Sequence, residues 1–67
     1  MIQYRIDVLQ KLKDKGYSTY RLRKEKLLGE ATIQKLRESV LVSWENINTI
    51  CFLLDIQPGD MLEYKRT

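Results

Sequence analysis

The sequence predicts an all-α fold, a compact five-helix domain over residues 1–67. Three observations lead there. Apolar residues recur at helical spacing, most plainly where Ile47, Ile50, Cys51 and Leu54 fall at i, i+3, i+4 and i+7. Helix starts and stops punctuate the chain at Gly16, Ser18, Ser43 and Pro58. Third, the short β-branched-rich run at residues 40–42 is too brief to anchor a sheet and reads as a packed loop.

The elements follow in order. Ile6, Val8, Leu9 and Leu12 lie near helical spacing, and the basic end at Lys11, Lys13 and Lys15 precedes Gly16. Cations suit the negative end of a helix dipole and glycine suits the stop, so a first helix covers about 5–15. Tyr17 reads as a core anchor. Ser18 is a good N-cap for a second helix over about 19–26, with Leu22 inward. A turn at 27–29 leads to a third helix over about 30–38, capped by Gly29, with Ala31, Ile33 and Leu36 facing inward or supporting the helix crossing. Ser43 caps a fourth helix over about 44–54. Ile56 closes its apolar stripe, and Pro58 and Asp60 suit the first turn of a short fifth helix over about 58–62 with Met61 and Leu62 on the core. Residues 63–67 form a charged tail.

Composition removes several classes of function. Folding at this length buries only about 60% of the extended-chain surface, which leaves no room for a large substrate cleft with supporting walls. The single Cys51 excludes an intramolecular disulfide, and the absence of histidine removes the commonest metal ligand and general base. No catalytic residue, metal or cofactor is expected, and an enzyme is disfavoured because there is neither a paired-carboxylate pocket nor a phosphate-binding Gly-rich loop. No apolar run approaches a membrane span, and residues 1–7 do not resemble a signal peptide. A reducing, cytoplasmic setting is expected.

Charge is unevenly placed. Residues 1–29 carry eight basic side chains against three acidic, a net +5; residues 30–67 carry four against six, a net −2. That asymmetry suits an anionic partner such as nucleic acid, although a solvated helix surface gives the same count. Within 18–36, two short helices must brace each other, and the second keeps a free polar face of Glu30, Thr32, Gln34, Lys35 and Arg37. A polar helix held out by a small scaffold is suited to the DNA major groove.

These pieces carry a resemblance. G-Y-S-T-Y-R-L at 16–22, A-T-I-Q-K-L at 31–36, S-W-E-N-I-N-T-I-C at 43–51 and D-I-Q-P-G-D-M-L-E-Y at 55–64 stand in the order and spacing of the Cro/repressor-type (XRE-like) helix-turn-helix family. The chain resembles its short single-domain members from bacteria, phages and mobile elements over about 4–64. Leu22 and Ile33 hold the family's spacing between the second helix and the recognition helix. Two positions depart from the pattern. Leu27 stands where the family has Gly, at a cost on the order of 1 kcal/mol if that residue must be left-handed. Gly29 stands where Ser or Thr is usual, and loses a hydroxyl.

The resemblance implies a lambda-repressor-like fold with the helix-turn-helix at helices 2 and 3. It implies a sequence-specific transcriptional regulator, a repressor, whose third helix reads double-stranded DNA. Carried over by position, base contacts fall to Glu30, Ala31, Thr32, Gln34 and Lys35. Lys35 would donate to guanine, Glu30 accept from cytosine, and Thr32 offer its hydroxyl or methyl. Backbone contacts fall to Ser18, Thr19, Tyr20, Arg23, Lys24, Arg37, Ser43 and Asn46. Each also has a plainer role: Ser18 as a cap, Tyr20 as packing, Arg23 and Lys24 as solvated surface. Trp44 is expected to pack over the preceding loop rather than stack on a base, and Cys51 to be a buried inert thiol. Asp55 and Asp60 read as helix-end residues.

A homodimer on a palindromic operator is expected, because one small module makes few base contacts. Residues 40–42 and 61–64 are the exposed-apolar suspects for its interface. No membrane and no small-molecule ligand are expected. The rival is a protein-interaction adaptor or antitoxin-like partner using the same fold, which mild net charge and Glu30 in the reading helix would favour.

Overall fold

A computed structural model describes residues 1–66. In chain order they form β1 (Ile2–Tyr4), α1 (Val8–Asp14), α2 (Thr19–Lys24), α3 (Glu30–Arg37), α4 (Trp44–Leu54), α5 (Pro58–Met61) and β2 (Leu62–Tyr64). All five expected helices are present. Their starts follow from their caps: Asp7, Ser18 and Ser43 accept the backbone N–H of Gln10, Arg21 and Asn46, each at 3.2 Å. Gly29 precedes α3 in an extended conformation without a side-chain bond, as a glycine must.

The all-α expectation needs correction. β1 and β2 pair antiparallel, with Ile2 opposite Tyr64, Gln3 opposite Glu63 and Tyr4 opposite Leu62. Bonds between Met1 and Lys65, and from the Arg5 N–H to the Met61 carbonyl, continue the same register at both ends. Residues 5–7 are therefore not helical, and α1 begins at Val8 after the Asp7 cap. Of the expected charged tail, Glu63 and Tyr64 lie in β2, whereas Thr67 lies outside the described residues.

The first four helices close in the same way. Gly16 (φ 94°), Lys26 (φ 55°), Ser39 (φ 60°) and Asp55 (φ 55°) adopt the left-handed conformation. The next residue's N–H then donates to the carbonyl five positions back: Tyr17 to Leu12 (2.8 Å), Leu27 to Leu22 (2.9 Å), Val40 to Lys35 (2.8 Å) and Ile56 to Cys51 (3.1 Å). This Schellman closure satisfies carbonyls that the helix end would leave unpaired. It also places the left-handed residue of the α2–α3 turn at Lys26 rather than Leu27. Leu27 follows it and is half-buried against the core.

The core is entirely apolar. Val8 and Leu12 of α1, Leu22 of α2, Leu28, Ile33 and Leu36, Ile47, Ile50 and Leu54 of α4, and Met61 form one cluster. Tyr4, Tyr17 and Val42 pack against it, and the Tyr4 hydroxyl donates to the Val40 carbonyl at 2.8 Å, tying β1 to the α3–α4 loop. Burial raises the Tyr4 pKa, partly offset by a backbone hydrogen bond from Val42. α1 packs on both α3 and α4, and the Asn46 side-chain N–H donates to Thr32 Oγ1, tying α3 to the start of α4. Among the described residues, no helix is long and apolar enough to cross a membrane.

Candidate nucleic-acid interface

Burying Ile33 and Leu36 commits one side of α3 to the core and turns the other outward. Glu30, Ala31, Gln34 and Lys35 are exposed on that side, and Thr32 is half-buried. Ala31 thus does not face the core. An eight-residue helix needs only a narrow apolar stripe when α1 covers it, and Ile33 and Leu36 supply it.

The polar groups of this face are differently engaged. The Glu30 carboxylate pairs across the turn with Arg23 of α2 at 2.5 Å. Gln34 donates to Glu38 and accepts from Arg37 (3.1 Å). Thr32 Oγ1 accepts the Asn46 side-chain N–H at 2.8 Å, which leaves the threonine proton to donate elsewhere. Lys35, by contrast, makes no ion pair among the described residues. Its ammonium has all three donors available to an acceptor outside the chain.

The backbone-contact candidates fall in three places. Ser18, Thr19 and Arg37 line one open recess of about 730 Å³ formed by the start of α1, the start of α2 and the end of α3. Gln10, Lys13 and Ser39 share that wall. These three were not apparent in the sequence, although Lys13 could have been flagged by lying on the basic end of α1. Arg23 lines a smaller recess of about 200 Å³ with Gly29 and Glu30. Ser43 and Asn46 stand at the start of α4, both engaged internally. Tyr20 is exposed rather than packed, and Lys24 lies over its ring at 5.7 Å. Arg21, between these groups, is bound to Glu25, to the Gly16 carbonyl and over the Tyr17 ring, and braces α2 from outside.

Two expectations on α4 are overturned. Trp44 does not pack over the preceding loop; it is 81% exposed, because the first position of α4 points away from the stripe formed by Ile47, Ile50 and Leu54. Cys51 is half-buried rather than buried, since it lies at the edge of that stripe. Burial and, secondarily, Asp60 raise its pKa, so little reactive thiolate forms near neutral pH. Met61, a suspect for an exposed interface, is fully buried.

A polar helix is thus carried on an apolar scaffold, with the cationic and hydroxyl side chains of Arg5, Lys13, Ser18, Thr19 and Arg37, and the Asp7 carboxylate, lining the recess beside it. Comparison with protein families gives a match to the Cro/C1-type HTH DNA-binding domain over residues 5–66. No curated protein and no solved structure gave a significant match. The family match takes in all five helices together with β2, and the chain belongs to the Cro/C1-type helix-turn-helix DNA-binding family.

Proposed function

We propose that this protein is a sequence-specific transcriptional regulator, a repressor, with a lambda-repressor-like arrangement in which α3 enters the major groove and α2 lies across the backbone. The observation that carries this reading is the outward face of α3, where Lys35 stands uncommitted beside Thr32. Lys35 donates to guanine O6 or N7, and Thr32 donates its free proton or packs its methyl on thymine. Glu30, partly neutralised by Arg23, accepts from cytosine N4. Ala31 contributes a methyl contact, and Gln34 reads a base once it leaves Glu38. Ser18, Thr19 and Arg37 hold one phosphate run and Ser43 and Asn46 another, with Tyr20, Arg23 and Lys24 flanking them. Two copies bind a palindrome with half-sites about one helical turn apart, and occupancy blocks polymerase.

Selection of bound duplexes from a random library, followed by titration at two salt concentrations, tests this. An enriched palindromic motif whose binding is weakened about tenfold or more by Lys35→Ala is the expected result. Weak binding, equal across all sequences, would overturn it. That outcome would instead support the adaptor reading, which the mild net charge and a carboxylate in the reading helix favour.

A further inference from the structure

The outer face of α4 carries two aromatic side chains that the fold leaves almost uncovered, Trp44 at 81% and Phe52 at 82% exposure. Asn48, also exposed, lies midway between them. Positions 44, 48 and 52 follow one another at i, i+4 and i+8, so they form one stripe about 12 Å long. The core residues Ile47, Ile50 and Leu54 occupy a different side, so nothing in the fold requires this stripe to be apolar.

Resting on the homodimer reading above, we propose that this stripe is the seam between two copies of the chain. In it, α4 packs antiparallel on its counterpart about a two-fold axis at Asn48. The spacing is self-complementary: the rotation sets Trp44 of each copy opposite Phe52 of the other. It also brings the two Asn48 amides face to face, each with donor and acceptor. A two-fold contact requires such reciprocity. Charge is compatible with it. Glu45 meets the Cys51 end of the partner helix rather than its own counterpart, and Asp55 lies beyond the aromatic stripe.

Area points the same way. Large aromatic side chains bury roughly 150–250 Å² each, so the pair supplies roughly 300–500 Å² per copy. A standard interface needs about 800 Å² from each partner. Fully covered, these two residues would supply up to about half of a standard interface. Val40 and Leu41, exposed just before α4, supply further apolar surface.

Sedimentation of the DNA-free chain over a concentration series tests the seam, with the emission of its single tryptophan followed alongside. A dimer is expected to form with concentration while Trp44 emission shifts to the blue. Phe52→Glu should weaken association by at least about tenfold while leaving helical content unchanged. In a Cys51→Ser background, Asn48→Cys should form a disulfide-linked dimer under mild oxidation faster than Lys11→Cys does. A chain monomeric at every concentration overturns the proposal, as does a dimer indifferent to Phe52→Glu. A monomer whose Trp44 emission is quenched by duplex assigns the stripe to DNA and also overturns it. Duplex selection is scored separately: a dimer without a selected motif removes the regulator reading and leaves the seam, and a motif bound by monomers does the reverse.

Discussion

Asn46 donates its side-chain N–H to Thr32, so the start of α4 and the middle of α3 hold each other in place. If Thr32 reads a base as proposed, Asn46→Ala should broaden base preference at that position while lowering affinity for the preferred duplex by about 1 kcal/mol, measured by repeating the duplex selection. Ile50 has no such exposed alternative, being fully buried. Ile50→Ala should cost about 2–5 kcal/mol, against a total of roughly 3–10 kcal/mol for a chain this size, and the loss of helical signal at 37 °C reads it. Cys51 adds a dependence on pH. Its pKa is raised on folding, so the folded state favours the neutral thiol. The contribution to stability is complete below the ordinary cysteine value and is lost as pH rises through the raised one. Tyr4 acts in the same direction at higher pH. Urea midpoints should fall from neutral to alkaline pH, and Cys51→Ser should flatten the first part of that fall.

Among the elements, the helix ends are where residue identity and backbone conformation disagree most. Lys26, Ser39 and Asp55 hold left-handed backbones that glycine adopts without penalty, as Gly16 does. Ser39→Gly should therefore stabilise by about 1 kcal/mol, visible as a rise of about 4–8 °C in Tm. These closures also show what a sequence reveals. Helix α4 was legible at both ends because its apolar period and the Ser43 cap are local signals. The closures at Lys26 and Ser39 were not, because neither residue announces a left-handed backbone. Nor were β1 and β2, each three residues long and paired with a segment about sixty positions away. At the candidate site, the outward face of α3 followed from Ile33 and Leu36. The pairing of Glu30 with Arg23 and of Thr32 with Asn46 depends on how helices meet, which periodicity does not encode.

For the molecule as a whole, the positive surplus of residues 1–29 supports the recess where Lys13, Ser18 and Arg37 meet. If six phosphates are neutralised per dimer, log K should fall against log salt with a slope of about −5, and Lys13→Ala should make that slope shallower by about 2 per dimer. A gel-shift or anisotropy titration at several salt concentrations gives both numbers. An unchanged slope would remove Lys13 from the proposed phosphate contacts. The strand pair has a different kind of consequence. Its last bonds join the Met1 amino group to the Lys65 carbonyl and the Lys65 N–H to the Met1 carbonyl, each at 2.7 Å. Residues at the two extremes of the described chain are therefore next-door neighbours. A few glycines could connect them, and the same helices could be threaded in a rotated order that opens instead between α3 and α4.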